Sequence, residues 1–146
     1  MTPKELQRIR AFDLKRIAYH EAGHLVVLRA LGGAGDIRIW FDSTANPETT
    51  RLFRGQVRIF QPPATDDHMR AVNMAGVVAE SLVDDDDPDA YEIFSYIEDD
   101  IFSMSESDTS LGITLEAVTL ALEILTARWP EVKRLALDEI YYETTE

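Results

Sequence analysis

The residues with the clearest potential for chemistry are two histidines and a glutamate near the N-terminus, in the order His20, Glu21 and His24. On a helix that turns about 100° per residue, His20 and His24 lie on one face, one turn apart, so both imidazoles can reach one ion. Glu21 lies beside them, off the ligand axis. This order and spacing are typical of zinc hydrolases, in which the ion lowers the pKa of its water and the carboxylate accepts a proton.

The surroundings of this motif favour a functional site over a surface histidine pair. Ile17, His20, His24, Val27 and Leu31 recur at intervals of three and four residues, which places both histidines on the core-facing stripe of a helix. Two imidazoles without partners at such positions would be costly. The sequence therefore predicts a zinc (Zn²⁺) site with His20 and His24 as ligands and Glu21 as the general base.

A catalytic zinc site requires a third protein ligand. Because the chain contains no cysteine, that ligand must be His68 or a carboxylate. The pattern predicts a long helix over residues 105–128, and extending its apolar stripe backward by one step reaches Asp108. A carboxylate in line with a buried stripe needs a cation or hydrogen-bond donors, although an acid in the first helical turn is also common without a ligand role. Asp108 is the predicted ligand, and Asp99 and Asp100 remain alternatives.

Length, composition and charge narrow the class of protein. We expect a single globular domain over residues 1–146, with 45% hydrophobic and 28% charged side chains. The formal net charge of -13 argues against nucleic acid or an anionic membrane as a partner. No apolar run reaches membrane-spanning length, and residues 1–16 do not resemble a secretion signal, so we expect a cytoplasmic location. The sequence does not indicate an oligomeric state.

The first half of the chain predicts helices combined with a small sheet, an α+β class that is mostly helical. A helix begins after the cap Thr2 and ends before the glycines at 32–35, and it could bend near Phe12. Alternating β-branched and aromatic residues predict strands at 37–41 and 56–60, joined as an antiparallel hairpin by a connection over 43–54.

The second half predicts further helices. One begins after Thr65, and the small residues Gly76 and Ala79 on its stripe would allow another helix to approach closely. The acidic run at 84–89 reads as a solvated loop. A short helix follows near residues 91–101, and a final amphipathic helix is expected at 131–142.

Three segments resemble the FtsH-type ATP-dependent zinc metalloproteases. Residues 18–27, Ala-Tyr-His-Glu-Ala-Gly-His-Leu-Val-Val, closely resemble the zinc-site helix of that family. Residues 75–83 are similar to its Ala-Gly-Arg-Ala-Ala-Glu-Glu-Leu helix, although Val77 stands where the family often has Arg and Ser81 where it has Glu. The Ser107-Asp108 pair resembles the place where the family supplies an aspartate ligand.

The resemblance implies an FtsH-peptidase-like helical domain with zinc on His20, His24 and Asp108, Glu21 as general base, and a peptide or unfolded protein as substrate. The chain contains neither a phosphate-binding Gly-Lys-Ser/Thr loop nor a membrane span, so we expect hydrolysis that does not depend on ATP. The alternatives are a non-catalytic peptide-binding or regulatory module that keeps the fold, and an amidohydrolase with the same metal chemistry.

Overall fold

The computed structural model describes residues 1–46, 51–99 and 104–145 of the chain. Six helices and a two-stranded antiparallel sheet are present in these ranges, so the predicted mostly helical α+β class is confirmed. None of these helices has both the length and the apolar character that crossing a bilayer requires. The elements in chain order are α1 (Pro3–Ala30), β1 (Ala34–Phe41), β2 (Phe53–Gln61), α2 (Asp66–Asp84), α3 (Ala90–Glu98), α4 (Glu106–Thr109), α5 (Leu115–Ala127) and α6 (Trp129–Thr145).

Helix α1 is the central element of the fold. Thr2 caps its start and Pro3 follows, as predicted, and Thr2 and Glu5 also form a reciprocal capping box. The helix is continuous through Phe12, where a division into two helices was considered, and no proline or glycine interrupts it there. Instead, the neighbouring Asp13 is buried and its carboxylate accepts a hydrogen bond from the Leu52 backbone N–H, which ties α1 to the start of β2.

The glycines after α1 turn the chain into the predicted hairpin. Gly32 adopts a φ of 86°, which favours glycine, and β1 then pairs antiparallel with β2. Ile39 lies opposite Gly55 in this register. The strands are longer than predicted, since Phe53 and Arg54 belong to β2 rather than to the connection, and residues 47–50 of that connection lie outside the described ranges.

Helices α1 and α2 cross at small residues, as predicted from Gly76 and Ala79. A methyl group added at Gly23 would lie 2.6 Å from the Ala79 Cβ and 2.7 Å from the Ala75 carbonyl oxygen. The two backbones therefore approach more closely than larger side chains would allow. This close approach brings the face of α2 directly against the histidine motif of α1.

The prediction of one long helix over residues 105–128 is wrong. A short helix, α4, begins after the Ser105 cap, and the chain then turns at Gly112, whose φ is 88°. Thr114 caps the separate helix α5 by accepting a hydrogen bond from the Ala117 N–H. Gly112 and Thr114 therefore separate α4 from α5. Because α4 does not continue the axis of α5, it can lie beside α1.

Helices α5 and α6 complete the core behind α1 and α2. Val118, Ala121 and Leu125 of α5 are fully buried, and Tyr19 of α1 stacks on Trp129 at a ring separation of 5.6 Å. Helix α6 begins at Trp129, two residues earlier than predicted, because a proline is tolerated in a first helical turn. Asp84 still belongs to α2, but residues 85–89 form the predicted loop, and 85–87 are exposed. The short helix predicted near 91–101 is present as α3, and its predicted residues 100 and 101 lie outside the described ranges.

Candidate metal centre

His20, His24 and Asp108 come together between α1 and α4. One ligand atom from each of the three residues lies within 4.8 Å of the others. The two Nε2 atoms are 3.0 Å apart, and the Asp108 carboxylate oxygens lie 3.4 Å from His20 Nε2 and 3.5 Å from His24 Nε2. The structure therefore assembles the three side chains that the sequence predicted as ligands, and it does so in a group that could hold a metal ion.

Helix α2 holds both imidazole rings from behind. His24 Nδ1 donates a hydrogen bond of 2.6 Å to the Val72 carbonyl oxygen, and His20 Nδ1 lies 2.8 Å from a carboxylate oxygen of Glu80. Since a carbonyl and a carboxylate can only accept, both Nδ1 atoms carry protons. When the rings are neutral, as metal binding requires, each Nε2 atom carries a lone pair, and a hydrogen bond at the opposite nitrogen is the usual way to orient a histidine ligand.

The resulting donor set fits a cation. Two lone pairs and an anionic carboxylate face one another at 3.0–3.5 Å, an arrangement that repels itself unless a proton or a metal ion lies among them. Burial acts to raise the pKa of Asp108, but its hydrogen bonds with the two histidines outweigh that effect and hold the pKa well below its ordinary value. Asp108 is therefore ionised at neutral pH, as a metal ligand must be.

Gly76 leaves space beside the ligand atoms. A methyl group at this position would lie 2.6 Å from His24 Nε2 and still closer to His20 Nε2. Gly76 is one helical turn from both Val72 and Glu80, so a single face of α2 supplies two hydrogen-bond acceptors and, between them, the gap in front of the histidines.

We expect Gly76→Ala to weaken zinc binding by about tenfold or more, because the added methyl group would press on both ligand nitrogens. The measurement is competitive titration of the metal-free protein with a chromogenic chelator. Gly35→Ala is the matched control: its methyl group would meet the Arg58 carbonyl oxygen, away from the site. Equal affinity in wild type and Gly76→Ala would show that this gap does not serve the metal.

Protonation of His20 should make the stability of the metal-free protein depend on pH. Burial lowers the pKa of His20, but hydrogen bonds with Asp108 and Glu80 outweigh it and raise the pKa from 6.5 to about 9. The stabilisation is thus fully present below the unfolded value and is lost as the pH rises towards 9, by up to about 3 kcal/mol. Urea unfolding of the chelator-treated protein across this range should show the decrease.

The control for this pH dependence is Glu80→Gln, which keeps a side chain of the same size but removes one of the charges that hold the proton on His20. Its decrease in stability should be smaller than that of wild type. A free energy of unfolding that stays constant across the range in the metal-free wild type would contradict the protonated state inferred for His20.

Glu21 lies at the edge of the three-residue group and is almost completely buried. One carboxylate oxygen is 3.9 Å from His20 Nε2, and the other has no hydrogen-bond partner among the described residues. Gly55 of β2 packs against it: a methyl group there would come within 2.8 Å of the Glu21 Cγ. The sheet therefore fixes the side chain next to the ligands, with one carboxylate oxygen buried and unpartnered among the described residues.

A cleft of about 620 Å³ opens in front of these residues. One wall consists of α1 and β2, and the other consists of α2 and the segment around α4. Glu21 and the three candidate ligands all line it, so a molecule in the cleft would reach both the metal position and the candidate base.

Two of the remaining candidates, Asp99 and His68, are not part of the site. Asp99 is exposed at the end of α3, and His68 lies in the first turn of α2, outside the ligand group. Asp100 lies outside the described residues. Sequence reasoning missed the role of Glu80, although its spacing of four residues from Gly76 on a core-facing stripe was a usable signal.

No protein-family model matches the chain, and no curated protein matches it significantly. The resemblance to the FtsH-type proteases therefore rests on the three sequence segments alone.

Proposed function

We propose that this chain is a zinc-dependent endopeptidase of the FtsH peptidase type. His20, His24 and Asp108 would hold the ion, and Glu21 would act as the general base. The observation that carries the proposal is the convergence of two histidine lone pairs and one carboxylate next to a buried glutamate oxygen without a hydrogen-bond partner. A site for metal storage or structure alone would not need that glutamate.

The donor set agrees with zinc. Two imidazole nitrogens and one carboxylate are the ligand types of catalytic zinc sites, in which a fourth position stays open. Iron and other divalent ions accept the same donors, so zinc is part of the proposal rather than of the geometry. When bound, the ion would polarise a substrate carbonyl and lower the pKa of a coordinated water.

Glu21 would move the proton during hydrolysis. Its carboxylate accepts a proton from the attacking water and passes it to the amine that leaves. Packing against Gly55 holds the side chain in place, and near-complete burial excludes bulk water from it. Its position next to His20, but outside the three-ligand group, suits a base better than a fourth ligand.

An extended peptide could bind along β2. In the described residues this strand pairs only with β1, and its residues 53–57 and Ile59 line the cleft. Backbone pairing with a strand edge is a common mode of peptide recognition that does not depend on side chains. It supports an unfolded protein or a flexible peptide as the substrate class.

The proposal is tested by incubating the zinc-loaded chain with a fluorescence-quenched unfolded protein, without ATP. Cleavage should disappear when the metal is removed by a chelator and return when zinc is restored. Binding of zinc without cleavage of any unfolded protein or peptide would instead indicate the non-catalytic peptide-binding module.

A further inference from the structure

Two arginines meet in the cleft beside the candidate metal centre. Arg16 lies on α1 one turn before His20, and Arg51 lies just before β2; both line the cleft. Their charges are close enough to interact: burial lowers the pKa of Arg16, Glu80 acts to raise it, and Arg51 lowers it further. The carboxylates of Glu80, Asp13 and Glu21 partly offset this repulsion, and an anion bound between the two arginines would offset it further.

Among the described residues, these two guanidinium groups make only long ion pairs with carboxylates. Arg16 Nη1 is 3.7 Å from a Glu80 oxygen, and its buried Nε has no hydrogen-bond partner among the described residues. Arg51 is 3.9 Å from Asp13, a carboxylate that already accepts a hydrogen bond from the Leu52 N–H. Both separations exceed hydrogen-bond distance.

Two arginines of the adjacent strand β2 show closer pairing with carboxylates. Arg58 makes two hydrogen bonds of 2.9 and 2.6 Å to Asp36, and Arg54 makes one of 2.9 Å to Asp42. The chain carries 27 acidic side chains, so acids to complete such pairs are abundant. Arg16 and Arg51 line the cleft without such a hydrogen bond to any described carboxylate, so each could pair with a further one.

The distance between Arg16 and the candidate metal centre indicates which part of a bound peptide could supply that carboxylate. Arg16 and His20 are four residues apart on one helix face, a rise of about 6 Å. An extended peptide advances about 3.3 Å per residue, so a group bound at Arg16 would lie about two residues from the bond at the metal.

We propose that Arg16 and Arg51 form a carboxylate-binding subsite, which selects peptides with an acidic side chain or a free C-terminus about two residues from the cleaved bond. This inference rests on the proposed peptidase function. The planar guanidinium group suits this role because it can donate two parallel hydrogen bonds to one carboxylate.

The test measures peptide binding without turnover, using the zinc-loaded Glu21→Gln variant and fluorescence anisotropy. Three labelled peptides are compared: an amidated peptide with a central Glu, the same peptide with Gln, and the Gln peptide with a free C-terminus. The Glu peptide, the free-terminus peptide or both should bind about tenfold more tightly than the amidated Gln peptide. Which of the two gains affinity distinguishes a side-chain carboxylate from a terminal one.

Arg51→Gln, added to the same background, should abolish this preference, and Arg16→Gln should do the same. Arg58→Gln is the matched control, since it removes an equal charge from β2 outside the cleft and should leave the preference intact. Equal or absent binding of all three peptides would overturn the subsite, as would a preference that survives in Arg51→Gln.

The test of the carboxylate-binding subsite can succeed or fail independently of the test of peptidase activity. An acid preference in Glu21→Gln together with a wild type that cleaves nothing would support the subsite and reject the peptidase. Cleavage by wild type without any preference for an acidic peptide would support the peptidase and reject the subsite.

Discussion

Glu21→Gln should bind zinc as tightly as wild type and hydrolyse peptides about 10²- to 10⁴-fold more slowly, the usual contribution of a general base. The amide has nearly the same size as the carboxylate, so the packing against Gly55 is retained. None of the three ligand atoms comes from Glu21, so the metal position is unchanged. The measurement is kcat for a quenched peptide, paired with zinc content.

Glu123→Gln on α5 is the control, because it removes the same charge from an exposed position outside the cleft. It should leave both turnover and metal content as in wild type. Full activity in Glu21→Gln would refute the role of this residue as the base. Loss of zinc in Glu21→Gln would show instead that the carboxylate takes part in holding the ion.

Asp108→Ala should weaken zinc binding by more than about 100-fold, because loss of a ligand exceeds the 10- to 100-fold effect of losing a ligand's supporting partner. Two histidine nitrogens would remain, without the anion that neutralises part of the metal charge. The dissociation constant is measured by competition with a chelator of known affinity.

Asp99→Ala provides the control for this prediction, since Asp99 is an exposed acid of the preceding segment and lies outside the ligand group. It should bind zinc like wild type. If Asp108→Ala bound zinc unchanged and Asp99→Ala did not, the third ligand would have been assigned to the wrong carboxylate.

Local signals in the sequence were sufficient for much of the fold. Thr2 and Pro3 marked the start of α1, Gly32 marked its end, and the alternation of residues in 37–41 and 56–60 predicted the hairpin. These features depend on capping, on a left-handed backbone and on side-chain alternation, all of which act over a few residues.

The prediction of Asp108 as a ligand assumed one long helix that the structure does not contain. The prediction extended one helical stripe from α5 back to Asp108, whereas the chain breaks at Gly112 and starts a new helix after Thr114. The residue nevertheless lies with the two histidines because the separate helix α4 packs near α1 and α2. A stripe of apolar residues does not reveal where a helix ends. Only Gly112 and Thr114 indicated the break between the two helices.

The parts that escaped prediction depend on contacts between distant segments. Glu80 is 60 residues from His20, and Arg51, just before β2, lines the same cleft as Arg16 of α1. The spacing on one helix fixes which of its residues share a face, but not which partner that face meets. The spacing of Glu80 from Gly76 indicated a shared face, but its contact with His20 and the arginine pair could be identified only from the tertiary structure.

The most direct test of the account is the metal content of the purified chain, measured by elemental analysis beside His24→Ala. The account predicts about one zinc ion per wild-type chain and its loss in the variant, which lacks one of the three ligands. Absence of metal from the wild type, after purification without chelators and with zinc supplied, would contradict it.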